Sequence, residues 1–85
     1  METKILYDIV ISPSSIVRID IHEHEDKKGE MKKYFTFRFW NLKADGKFHP
    51  NKYVGLTLEF QYWGEFYRAF QALKQEIIDN HIDEV

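Results

Sequence analysis

Near residue 60 the hydrophobic period of this chain changes, and that change limits the possible folds more than any other feature. Before it, apolar and polar residues alternate in short runs. After it, Phe60, Trp63, Phe66, Tyr67, Phe70, Leu73, Ile77 and Ile78 recur at steps of three and four. A period of two sends neighbouring side chains to opposite faces of a strand, whereas steps of three and four lay one stripe along a helix. The order therefore predicts strands first and then one helix from about Phe60 to Asn80. That is an α+β domain, with the helix lying on an antiparallel sheet.

Four strands are predicted. "KILYDIVI" (4–11) is β-branched and apolar, and "SPSS" (12–15) closes it as a turn. "IVRIDIHEHE" (16–25) alternates, with Val17, Ile19 and Ile21 inward and Arg18, Asp20, His22 and His24 outward. A charged loop around Gly29, "DKKGEMKK" (26–33), leads to a third strand from about Tyr34 to Leu42. "KADGKFHPNK" (43–52) holds Asp-Gly and a proline and reads as a longer connection. "YVGLTL" (53–58) is the fourth strand, in which Gly55 signals a bulge or a close backbone approach. Gly64 interrupts the start of the helix, either as a tolerated defect or as a point where another element comes close. With no internal repeat or linker, residues 1–85 read as one domain.

A chain of 85 residues with 44% apolar and 31% charged residues is globular in composition. At this size only about 60–65% of the unfolded surface is buried, so an isolated copy is marginally stable. The helical stripe is also wider than one small sheet needs. Both points predict a twofold homodimer closed through the helix, with Trp63, Phe66, Tyr67 and Phe70 at the interface. The absence of cysteine removes disulfides and thiolate chemistry and fits a reducing compartment. No apolar run approaches a membrane span, and "METKILYDIV" lacks a signal-peptide pattern, so the expected location is cytoplasmic, with no membrane partner.

The third strand carries the functional signal. In "FTFRFW" (35–40), Phe35, Phe37 and Phe39 share one face as a core, while Tyr34, Arg38 and Trp40 line the other. Charge gathers around them. From Lys27 to Tyr53 there are eight basic residues against Glu30 and Asp45, a surplus of +6, while the remainder carries four basic and twelve acidic residues, −8, which together give the net −2. A cation for phosphate beside a ring for an unpaired base is how single-stranded nucleic acid is held. Trp40 packed under the 43–52 loop, with Arg38 paired to an acid such as Asp20, would account for the same residues.

The motif "HEHED" puts Asp20, His22 and His24 on one face, where two histidines and a carboxylate can bind a divalent ion. Polar residues outside an alternating strand are also simply a solvated face, and no metal is expected. Ser12, Ser14 and Ser15 lack a nucleophile context, and the acidic residues form no identifiable acid/base pair. Neither phosphate-loop nor dinucleotide glycine spacing is present. No catalytic residue, cofactor or enzymatic activity is expected.

The stretch "FTFRFWNLKADGKFHPNKYVGLTLEFQYWGEFYRAF", 36 of the 85 residues, resembles the C-terminal domain of transcriptional positive cofactor four, and more closely its small bacterial and phage relatives. Phe37, Arg38, Phe39 and Trp40 match the family's strand pattern. Asp45-Gly46, Pro50, Lys52 and Gly55-Leu56-Thr57-Leu58 follow in the family's order, and Trp63 heads the helix. The resemblance implies a curved four-stranded antiparallel sheet followed by one helix. It also implies a homodimer whose paired sheets form a channel for single-stranded DNA, with a role in transcription or DNA maintenance. The expected nucleic-acid contacts are Lys32, Lys33, Tyr34, Arg38, Trp40, Lys43, Lys47 and Lys52. Tyr53 and Val54 stand where family members often place a lysine directly before the glycine, and the loop between strands two and three is longer and partly acidic. Both departures lower the expected affinity. The alternative is a dimeric protein-interaction module on the same fold that binds no nucleic acid.

Overall fold

A computed structural model describes residues 3–80. It comprises β1 (Thr3–Ser12), β2 (Ser15–Glu25), β3 (Met31–Leu42) and β4 (Phe48–Glu59), then a 3-10 turn (Phe60–Tyr62) that runs into α1 (Trp63–Asp79). The strands form one antiparallel sheet in the order β1-β2-β3-β4, so the predicted succession of four strands and one helix is the observed one. The single domain expected over residues 1–85 extends past the described residues at both ends. Among the described residues no helix is long and apolar enough to cross a membrane.

The connections are tighter than the sequence suggested. Residues 31–33, expected in a loop, belong to β3, and residues 48–52, expected in a long connection, belong to β4. The β2–β3 and β3–β4 hairpins each close with five residues in which a glycine takes positive φ, Gly29 at 82° and Gly46 at 79°. In the first, Asp26 Oδ1 accepts hydrogen bonds from the Lys28 and Glu30 amides at 2.8 and 3.0 Å. In the second, Asp45 Oδ1 accepts from the Lys47 amide at 2.9 Å. An aspartate that satisfies its own turn lets the ladder start earlier than composition implies. The N-terminal end of the predicted helix, at Phe60, is 3-10 rather than α.

The register is interrupted between Ile5 and Tyr7, between Val10 and Ser12, and between Arg38 and Trp40. Such bulges bend a strand and increase its twist, and so curve the sheet. The last one is wide: Arg38 faces Gly55 while Trp40 faces Pro50, so residues 51–54 bulge opposite Phe39.

On one face of the sheet, Phe35 and Phe37 meet the helix. Phe66 lies 5.4 Å from Phe35 and 5.9 Å from Phe37, ring centre to ring centre, and Phe70 lies 5.7 Å from Phe37. This contact is thin. Among the described apolar side chains only Phe35, on this face, and Ile16, which stands across from Trp40 on the other, are buried, and no residue of α1 is. The radius of gyration is 15.6 Å, against about 12 Å for a compact chain of this length. Between sheet and helix an apolar groove of about 540 Å3, lined by Leu6, Ile19, Ile21, Phe35, Trp63 and Phe70 among others, stays open.

Candidate nucleic-acid interface

The opposite face of the sheet is built by register. Reading across β2 and β3, His24 faces Lys32, His22 faces Tyr34, Asp20 faces Thr36, Arg18 faces Arg38 and Ile16 faces Trp40. The alternation read in both strands is thus observed, but this face is not merely solvated. Asp20 and Thr36 are 7% and 6% exposed. Each is short and sits between longer neighbours along its strand, Asp20 between Arg18 and His22, Thr36 between Tyr34 and Arg38. Thr36 Oγ1 shares a 3.0 Å hydrogen bond with Thr57 Oγ1.

Two arginines directly opposite each other repel, and the sheet resolves the conflict asymmetrically. Arg18 donates through Nε and Nη2 to the two oxygens of Asp8 at 2.8 and 3.0 Å. That fork holds the Asp8 carboxyl below its usual range. The same guanidinium lies 4.5 Å from the Trp40 ring centre, a cation–π contact. Arg38 turns the other way, toward β4, where Nη1 donates to the Asn51 carbonyl at 2.9 Å. Among the described residues it has no carboxylate within 4.0 Å, so it does not pair with Asp20.

Gly55 makes this path possible. A Cβ there would lie 2.8 Å from the Cα and Cγ of Arg38 and 2.8 Å from the Phe37 carbonyl oxygen, and the backbone has φ +154°. Both readings of Gly55, close approach and bulge, therefore describe the same place. Asn51 organises the bulge: its Oδ1 accepts from the Tyr53 and Val54 amides at 2.8 and 3.0 Å, and its Nδ2 donates to Asn41 Oδ1 at 3.0 Å. Asn41 Nδ2 donates on to Ser15 Oγ at 3.1 Å.

The expected contact residues fall into groups. Lys32, Tyr34, Arg38 and Trp40 share this face. Lys43 and Lys52 meet beyond Trp40, around a shallow hollow with Asn41, Pro50, Asn51 and Tyr53. Lys47 stands in the β3–β4 turn, its carbonyl accepting from the Lys43 amide at 2.9 Å. Lys33 alternates to the helix side and flanks Phe60, in a hollow that Lys32, Glu59 and Gln61 also line. Lys32 is already engaged, 3.1 Å from Glu59 and 3.8 Å from Asp26, and Glu59 raises its ammonium above the usual range. Of the expected dimer residues, Trp63, Tyr67 and Phe70 are exposed, while Phe66 is partly spent on Phe35 and Phe37.

Sequence reasoning did not single out Arg18, Asp8 or Asn51. Alternation marked Arg18 as outward, but its pairing opposite Arg38 depends on a register that only the turn lengths decide. Among the described residues no group of three or more His, Cys, Asp or Glu is placed to hold a metal ion.

No protein-family model and no curated protein matches the chain. Two solved structures do. A PC4 homologue from Burkholderia pseudomallei superposes with a TM-score of 0.69 at 17% identity, over 88% of this chain and 93% of that one. This chain has the PC4 fold. The bacteriophage T5 homologue of the eukaryotic transcription coactivator PC4, a protein implicated in recombination-dependent DNA replication, superposes with a TM-score of 0.60 at 16% identity, over 96% of this chain and 84% of that one. PC4 is the positive cofactor four of the sequence resemblance. The PC4 fold thus extends over the strands outside the 36-residue stretch that first resembled it.

Proposed function

We propose that this chain binds single-stranded nucleic acid, DNA in preference to RNA and without regard to base order, as a homodimer serving transcription or DNA maintenance, and that it catalyses no reaction. The observation that carries this reading is Arg38: a guanidinium held over Gly55 by a backbone carbonyl, with no carboxylate partner among the described residues, on the same sheet face as the Trp40 indole, which itself lies against Arg18. A positioned cation without a counter-charge favours a phosphate, and a neighbouring ring favours an unstacked base. The dimer is supported by the open groove, the exposed Trp63 and Tyr67, and a radius of gyration too large for a closed core. A second copy would cover that surface.

The test is a fluorescence titration with mixed-sequence oligonucleotides. Trp40→Ala should weaken binding by about 1–3 kcal/mol, the range for one stacked base. Arg38→Ala should weaken all sequences alike and flatten the salt dependence by about one phosphate contact. Duplex should bind more weakly than single strand, because its bases are already stacked. Parental affinity in both variants, or preference for duplex at every salt concentration, would leave the protein-interaction module as the better account. The latter would bind its partner with little dependence on salt.

A further inference from the structure

The histidine pair of "HEHED" is not used by the site around Trp40, and the structure gives it a different neighbourhood from a metal centre. His24 and Tyr34 lie 4.5 Å apart, centre to centre, with planes 3° from parallel. His22 lies 5.5 Å from Tyr34 and 6.2 Å from His24, in each case at 15°. Three half-buried rings therefore stand in near-parallel order across β2 and β3. They occupy the same face as Trp40, six residues further back along β3, or about 20 Å at 3.3 Å per residue.

We propose that His22, His24 and Tyr34 form a second subsite for the same strand, which stacks an unpaired base on the ring row and takes that nucleotide's phosphate on His24. This rests on the single-strand reading above. Parallel rings present a ready surface for a base, since every base has a face to offer. The two histidines differ in their surroundings. His22 Nδ1 is 3.6 Å from Asp20 Oδ1, so a proton on His22 meets a counter-charge already in the protein. His24 Nδ1 is 3.3 Å from its neighbour's carbonyl, Glu25 O, and among the described residues His24 is in no ion pair.

The charges around the row are accounted for strand by strand. On β3, Lys32 stands opposite His24, and Asp26 and Glu59 hold it from the β2–β3 turn and the end of β4. Glu59 also faces Tyr34. On β1 the residue opposite His22 is Thr3, which carries no charge. Glu23, Glu25, Lys33 and Lys4 alternate to the other face, and Lys4, Glu23 and Lys33 border a hollow that His22 also lines. A protonated His24 therefore stands near Lys32 with no acid of its own, and an incoming phosphate relieves that. Histidine changes charge between about pH 5 and pH 8, so the phosphate part of the subsite strengthens on acidification while the stacking part does not.

The experiment measures anisotropy of rhodamine-labelled oligothymidylates of about 4 to 16 nucleotides, at about pH 5.5 and about pH 8. Thymine does not titrate in this range. Long oligomers should lose about 5- to 150-fold in affinity in the His22→Ala/His24→Ala variant, one base's worth of stacking, while the shortest should be unaffected. His24→Phe keeps a ring, so it should bind long oligomers like the parent at the higher pH and lack the gain at the lower. Equal affinity of parent and double variant for every length at both pH values would overturn the subsite while leaving the Trp40 site standing. Failure of the parent to bind any oligomer would end the single-strand reading, and this subsite with it. Circular dichroism of both variants separates lost binding from lost fold: a folded His24→Phe that keeps the acid gain also refutes the phosphate role.

Discussion

Replacing Gly55 by alanine tests the link between the β4 backbone and the Arg38 side chain. The added Cβ would meet three atoms at 2.8 Å, and two of them, Arg38 Cα and the Phe37 carbonyl oxygen, are backbone that cannot rotate away. At φ +154° the residue also sits where side-chain-bearing residues are strained, at about 1–3 kcal/mol. Overpacking adds about 1–3 kcal/mol. Since moving β4 relieves part of both, the net expectation is about 2–4 kcal/mol. For a domain of this size each kcal/mol lowers the melting temperature by about 4–8 °C, so a drop of at least about 8 °C is expected.

The third contact, Arg38 Cγ, makes a further demand. Arg38 has to leave its path over residue 55, and its bond to the Asn51 carbonyl goes with it. Thermal melting followed by oligonucleotide titration below the new midpoint reads both effects. A Gly55→Ala protein that melts within about 2 °C of the parent and binds equally well would refute the assignment of Gly55 as the seat of Arg38.

Four other outcomes are expected. Gly64→Ala should stabilise the chain by about 0.5–1 kcal/mol in thermal melting, because a Cβ there meets nothing within 4 Å and helical glycine is costly; a loss instead would show that another surface closes on this turn. Tyr67→Glu, at a side chain 52% exposed whose ring neighbour is Trp63, should leave the fold intact and shift sedimentation toward a 10.3 kDa species. Asp8 has a lowered carboxyl pKa through its hydrogen bonds from Arg18, so its contribution, about 0.2–1 kcal/mol, is present above the unfolded value near 3.8 and lost as pH falls through the lower folded value; Asp8→Asn should flatten that acid limb of the stability curve. Lys52→Ala should reduce the salt slope of single-strand binding by about 0.7, one phosphate, whereas Lys32→Ala should change it less because Glu59 and Asp26 already hold that ammonium.

The sequence made the layers legible and the cross-strand geometry illegible, for one physical reason. Alternation and the change of period are properties of a single segment, so the two faces of β2 and β3 and the helical stripe were readable. Who stands opposite whom depends on turn length and on bulges. Asp26 and Asp45 shorten the β2–β3 and β3–β4 hairpins by bonding to their own turns, and residues 51–54 swell opposite Phe39, neither of which any local period records. Hence Arg38 is legible as a cation on the open face, but its partner is not: Asp20, the acid of the alternative reading, sits beside His22 instead, and the carbonyl that holds Arg38 belongs to a bulge. The resemblance puts Lys32 and Lys33 together at the approach to the third strand, but both lie within β3, where adjacent residues take opposite faces.

The two faces of the sheet are incomplete in different ways, and that difference argues for two kinds of partner. On the helix side the deficit is apolar: Trp63, Tyr67 and Phe70 remain exposed around an open groove, a surface that only another apolar surface completes. On the other side, among the described residues, the buried polar groups are satisfied and the deficit is of charge, since Arg18 and Lys32 have carboxylates while Arg38 has only a carbonyl. An apolar partner on that side would desolvate Arg38 without compensation, a cost that phosphate reverses. The acidic excess of the chain as a whole does not oppose this, because charges beyond about 8–10 Å are largely screened at physiological salt, and the cations around Trp40 act at contact range. The net charge of −2 therefore says little about the partner, and the placement of Arg38 says much more.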